Sequence, residues 1–164
     1  MPEYQVFHQQ AVKSFSAGED NEHQRRWTES QWEAKASNKK FNYDKSRAHL
    51  NFEIVKGSKI VPLGSSKPIL ERFQDRLEAT GAEDPNKGLE TPKYRIACNM
   101  IFSGDADRMR EMAFGDQNVE RAKGADNSHV KRKSDIEMWA KDIYKAVADE
   151  WGEDNIIDFS VHLD

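Results

Sequence analysis

The sequence predicts an α+β domain, a mostly antiparallel sheet with helices packed on its apolar face and polar side chains on the other. Three observations carry this. Strand-like and helix-like segments are mixed without a regular βαβ rhythm and without a repeat. His49-Leu-Asn-Phe-Glu-Ile-Val55 alternates at period two, so Leu50, Phe52 and Ile54 share a face opposite His49, Asn51 and Glu53. Ile136, Trp139, Ala140, Ile143, Tyr144, Val147 and Trp151 recur at helical spacing, an amphipathic stripe that belongs in a core.

Taken in chain order, Tyr4–His8 reads as a short strand. Lys13–Asn21 is polar, holds Gly18 and reads as a loop leading to a short helix over Glu22–Trp27. Gln31–Lys45 is polar and basic, and is expected to be irregular. The alternating stretch His49–Val55 follows as a half-buried strand. Pro68–Thr80 is expected to be helical, because Ile69, Leu70, Phe73 and Leu77 share a face and Gly81 can stop it. Ala82–Pro92 reads as loop, and Tyr94–Phe102 as the most apolar strand. Asp105–Phe114 and Asn118–Lys123 are short-helix candidates. Ser134, with Glu137 three residues on, offers a capping box for the last helix, and Gly152 stands where the chain must leave it. A closing strand over Asn155–Asp164 places Ile157, Phe159 and Val161 on one face, with Asp158, Ser160, His162 and Asp164 on the other.

Composition narrows the function classes. The 164 residues amount to one domain, and 10% aromatic residues against 33% charged ones allow a packed core in a polar chain. No apolar run approaches the ~18–20 residues a bilayer span needs, and the N-terminus lacks the pattern of a signal peptide, so a soluble cytoplasmic protein is expected. Cys98 is the single cysteine, which excludes an internal disulfide framework and a cysteine-based zinc cluster. The net charge is −4, but residues 1–60 carry ten Lys and Arg against eight Asp and Glu, and residues 61–164 carry fifteen against twenty-one. A phosphate-binding face in the first third is compatible with this balance; a wholly basic DNA-coating protein is not.

Three constellations could carry chemistry. If the alternating strand and the closing strand are neighbours, His49, Asn51 and Glu53 approach Asp158, Ser160, His162 and Asp164, an imidazole and oxygen set suited to Mn²⁺ or Mg²⁺. The plainer reading of His162 is a partly exposed strand histidine near the chain end. In Asn21-Glu-His-Gln-Arg-Arg26, a histidine followed by two arginines could hold a phosphate or attack it while the guanidiniums stabilise developing charge. A solvated helix turn would have the same sequence. In Asn42-Tyr-Asp-Lys-Ser-Arg-Ala-His49, Lys45, Ser46 and Arg47 could contact a nucleic-acid backbone, and Tyr43 with Trp27 and Trp32 could stack unpaired bases. A loop that caps the sheet edge is the alternative there.

The order of these motifs resembles one family. His-x-x-Arg at His23–Arg26, Asn-x-Asp…Ser-Arg-x-His-Leu-Asn-Phe-Glu over residues 42–53, and the closing Trp151–Asp164 stretch, ending Ser-Val-His-Leu-Asp, are similar to the Mob/Pre plasmid mobilisation and recombination proteins, the MobV-type relaxases. The resemblance runs from the N-terminus to the last residue and is most specific at 42–54 and 151–164. It implies a relaxase-like (HUH-type) fold and a DNA strand-nicking and joining transesterase that binds origin-of-transfer DNA, single-stranded or supercoiled, and holds a 5′ phosphate covalently. By this resemblance His23 matches the proposed nucleophile and Arg26 a phosphate clamp. Asn42, Asp44, Ser46, Arg47 and Asn51 match the second, DNA-binding motif, and His162 the first histidine ligand of a divalent metal, Mn²⁺ or Mg²⁺. In the family the strand continues into a glutamate and a Pro-His-x-His segment, whereas this sequence stops at Asp164. Residues 1–164 are therefore expected to be the N-terminal portion of such a catalytic domain, a truncated form that binds metal weakly and does not nick by itself. A non-catalytic DNA- or partner-binding remnant of a relaxase is the alternative.

Overall fold

The computed structural model describes residues 5–164 and is α+β, with two small antiparallel sheets. Tyr4, where the first strand was expected to begin, lies outside the described residues. Strand β1 (Gln5–Val12) pairs along its whole length with β4 (Ala97–Gly104), from Gln5 opposite Gly104 to Val12 opposite Ala97. The second sheet has β2 (Phe52–Val55) at its centre, flanked by β3 (Lys59–Pro62) and β5 (Ser160–Val161). No helix among the described residues is long and apolar enough to cross a membrane.

Helices form where caps and apolar stripes agree. Helix α1 (Ala17–Gln24) starts earlier than its expected position, because Ser16 and Glu19 cap each other reciprocally. Helix α2 (Glu29–Ser37) occupies a stretch expected to be irregular. Thr28 accepts from the Gln31 amide, and the Gln31 side chain accepts from the Thr28 amide, a second capping box. Helix α3 (Ile69–Thr80) begins after Pro68 and ends at Gly81 in the left-handed region, as its punctuation requires; Ile69 and Phe73 of its expected stripe are buried, whereas Leu70 is exposed. Helix α4 (Ala106–Phe114) is capped by Asp105. The expected helix at Asn118–Lys123 is absent, because the buried Asn127 side chain accepts from the Glu120 amide and donates to the Glu120 carbonyl, a competing turn.

The long helix α5 (Ser134–Trp151) starts at Ser134 itself, so Ser134 is its first residue and not its cap. Glu137 consequently pairs with Arg132 at 2.7 Å and makes no box. Ile136, Ala140 and Tyr144 of its stripe are buried, whereas Trp151 lies exposed at its end. Together with Ala113 and Phe114 of α4 and with Val130, they pack on Leu50, Phe52 and Ile54, and the Tyr144 ring meets Phe159 edge-on at 5.4 Å. This is the core.

The opposite face of β2 is also covered, which corrects the expected solvent-facing polar side. Asn51 and Glu53 are 3% and 1% exposed, because the closing segment meets Asn51 through Leu163 and Asp164 and α3 meets Glu53 through Arg72. Nor is Asn155–Asp164 a full strand. It opens with a 3₁₀ turn at Glu153–Asn155, and only Ser160 and Val161 pair in the ladder, opposite Glu53 and Phe52. Beyond them a side chain replaces the backbone partner, with Leu163 N donating to Asn51 Oδ1 at 2.6 Å.

Candidate functional site

Two of the three constellations singled out for chemistry, the His23–Arg26 motif and the alternating and closing segments, meet at one junction, which the third touches only through Tyr43. The last turn of α1 lies against β5, and β5 lies beside β2, so the alternating and closing segments are neighbours in one sheet. His162 Nε2 is 2.7 Å from the His23 carbonyl oxygen, joining residues 139 positions apart. A carbonyl only accepts, so Nε2 carries the proton and Nδ1 keeps its lone pair. Loss of solvent around the ring, followed by the Arg25 guanidinium, holds the imidazole below its ordinary 6.5, although the residue retains exposed surface. His162 is thus neutral near pH 7. The His23 ring is half-buried and has no hydrogen-bond partner among the described residues.

Arg25, one of the two arginines of the His23 motif, is the hinge of the junction. It takes a left-handed backbone conformation at φ 53° to end α1, a strained choice for a non-glycine residue. That turn sends its side chain to Asp164, where Nε and Nη2 bind the two carboxylate oxygens at 2.7 and 3.0 Å. Asn51 Nδ2 adds a third bond to Asp164 at 2.9 Å. A bidentate guanidinium–carboxylate pair, nearly excluded from water, fixes the last residue firmly.

Below it runs a second polar layer. Gln24 is buried, donating to Asp158 and, at 3.2 Å, to Ser160 Oγ, and accepting from Gly64 N at 3.0 Å. Gly64 has φ +79°, and a Cβ there would meet the Gln24 carbonyl oxygen at 3.1 Å, so the turn can dock only as glycine. Arg72 from α3 binds Glu53 and reaches Asp158 at 3.4 Å. Burial nevertheless raises the Glu53 pKa above its ordinary value, outweighing Arg72. Glu53 Oε2 and Arg72 Nη2 are buried with no partner among the described residues.

The remaining expected site residues have structural occupations. Arg26 binds Asp20 at 2.9 Å and the Ser66 carbonyl, while the other oxygen of Asp20 accepts from Ile69 N, so Arg26 clamps α1 to α3. Asp44 caps the 3₁₀ turn Lys45–Leu50 and receives Ser46, Arg47 and Asn127; these bonds lower its pKa against the opposing pull of burial. Arg47 lies over the Phe114 ring at 5.3 Å. Asn42 is exposed, and His49 is directed to the Val130 carbonyl, away from the junction. Sequence reasoning missed Gln24, Arg72 and Asn127, and read Arg25 as a phosphate holder instead of the partner of Asp164. For Gln24 the signal was the His23–Arg26 motif that contains it; Arg72 and Asn127 had none.

The donor set does not fit a divalent metal. Both Asp164 oxygens are taken by Arg25 and Asn51, and among the described residues no group of three or more His, Cys, Asp or Glu is placed to hold an ion. His162 Nδ1, the His23 ring and Glu53 Oε2 have no hydrogen-bond partner among the described residues, but they do not form such a group, and Mn²⁺ and Mg²⁺ want several oxygen ligands in fixed geometry. Compared with known proteins, the chain has no significant match to a family model, a curated protein or a solved structure.

Proposed function

We propose that the chain binds one strand of plasmid origin-of-transfer DNA in the manner of a MobV-type relaxase, with His23 presented to the phosphate. The observation that supports this is the contact of the His23 turn with the closing His-Leu-Asp segment, 139 residues away, which brings together two of the motifs that carry the resemblance. In this reading the two antiparallel sheets belong to a relaxase-like (HUH-type) architecture working in the cytoplasm. A His23 ring nitrogen bonds to phosphorus as the P–O3′ bond breaks. The 5′ phosphate stays on the protein, the 3′ oxygen takes up a proton, and reversal rejoins the strand. Arg26 and Arg47 act by holding α1 and the 3₁₀ turn in place, since carboxylates occupy their guanidiniums.

Strand binding is proposed for the chain itself. The covalent step is proposed for the chain joined to further metal ligands, because its own donors do not make a divalent site. The saturation of Asp164 by Arg25 and Asn51 favours a second reading, a non-catalytic DNA- or partner-binding module.

One experiment separates them. The chain, together with whatever its gene encodes beyond Asp164, is incubated with Mn²⁺ and supercoiled plasmid carrying its own origin, then run on a denaturing gel. The relaxase reading expects a protein–DNA adduct that His23→Ala abolishes. An adduct that persists in His23→Ala removes His23 as nucleophile; DNA binding with no adduct leaves the binding-module reading.

A further inference from the structure

Beside the junction lies an aromatic group that no catalytic step uses. Trp27 meets Tyr43 at 5.3 Å and Trp32 at 4.8 Å, both edge-on, and Phe41 leans on Tyr43 at 5.5 Å with 33° between planes. The inner faces are already taken by cations. Lys35 Nζ stands 4.4 Å from the Trp27 centroid, and the Arg25 guanidinium 4.8 Å from that of Tyr43. Glu22 holds this layer together, binding Lys35 at 2.6 Å and accepting from the Tyr43 hydroxyl. With its interior filled, the group has no empty cage for a small cation. Its open surface is the Phe41 ring, which is 41% exposed.

Phe41 is also held in place and flanked by charge. Lys123 donates to the Asn38 and Phe41 carbonyls, pinning the loop that carries the ring. Lys39 and Lys40 precede it, exposed and without an ion pair among the described residues. A flat apolar ring braced from behind and bordered by free ammonium groups suits a nucleobase whose phosphates the lysines can meet. A neutral or basic peptide would leave those ammonium groups unanswered.

We propose that Phe41 is the stacking platform for one unpaired base of a single-stranded nucleic acid, with Lys39 and Lys40 on the adjoining phosphates. Tyr43 links the platform to the junction, because Phe41 leans on its ring and the Arg25 guanidinium that binds Asp164 lies over it. This deepens the strand-handling reading and rests on it for the choice of DNA as the natural ligand.

The test is fluorescence anisotropy of a labelled oligothymidylate against the purified chain over a range of salt. Phe41→Ala is expected to weaken binding about tenfold while leaving the slope of log affinity against log salt unchanged. Lys39→Ala with Lys40→Ala is expected to make that slope shallower, and Phe41→Trp to retain affinity. Phe41 is exposed, so thermal unfolding of Phe41→Ala should match the parent. Unaltered affinity in Phe41→Ala, or equal affinity for a duplex of the same length, overturns the platform. Binding that depends on Phe41 with no His23-dependent adduct would sink the covalent step alone; an adduct with a silent Phe41→Ala would sink the platform alone.

Discussion

The two sheets invert the usual relation between polarity and burial. The β1–β4 ribbon has no Asp, Glu, Lys or Arg in sixteen residues, yet Val6 and Ile101 are 52% and 53% exposed. The β2 segment includes a glutamate and follows an asparagine, and both are almost wholly buried. Burial here follows what covers a strand. β2 has α4 and α5 on one face and Arg72 of α3 on the other, with the closing segment bonded to Asn51 beside it, whereas β4 pairs only with β1. Polar groups can be buried when each finds a partner, and the junction supplies partners from three distant segments.

The largest expected effect comes from unpairing the junction. Arg72→Ala strands a buried carboxylate and should cost about 3–5 kcal/mol in chemical denaturation. The double replacement Arg72→Leu, Glu53→Leu should recover most of that loss, because it removes the charge along with its partner. A loss under 1 kcal/mol from the single change would mean that Glu53 is not buried as described. Asn51→Ala removes the partner of Leu163 N and one of three bonds to Asp164, and should cost about 1–3 kcal/mol. Hydrogen exchange should show the closing segment loosened first.

Acid should act on the junction through His162. Its imidazole titrates below 6.5 in the folded chain, so folding disfavours the charged form. The stabilisation is whole above 6.5 and is lost as pH falls through the lowered value. His162→Gln should reduce this pH dependence in urea titrations between the two values; an unchanged profile would detach His162 from the Arg25 side of the junction. The smallest effect belongs to the ribbon. Ile101→Thr should shift stability by less than about 0.5 kcal/mol, and a larger loss would mean that the ribbon is packed.

The sequence carried the apolar half of this structure well. The α5 stripe, the Leu50–Phe52–Ile54 face and, except for the exposed Leu70, the α3 stripe were legible as periodicity, whereas the adjacency of the alternating and closing segments entered only as a condition. Thr28-x-x-Gln31 was legible too, as a capping box, but its surroundings were so polar that the helix it starts was missed. The junction was only half legible. Its histidines stood in motifs, whereas the residues that hold it, Gln24, Arg25 and Arg72, look in sequence like ordinary charged helix surface. Which guanidinium is bound by which carboxylate depends on how three segments fold together, and no local spacing encodes that. Arg25 with Asp164 and Arg72 with Asp158 are pairs of this kind, whereas Arg26 and Arg47, the arginines expected on phosphates, are held by their sequence neighbours Asp20 and Asp44.

Hydrogen exchange with and without a single-stranded oligonucleotide tests the central claim most directly, because it reads both regions in one measurement. If the chain handles a strand at the charged junction, bound DNA will slow exchange at residues 23–27, 38–43 and 160–163 and leave 5–12 and 97–104 unchanged. Protection confined to the exposed ribbon, with none at the junction, would contradict it.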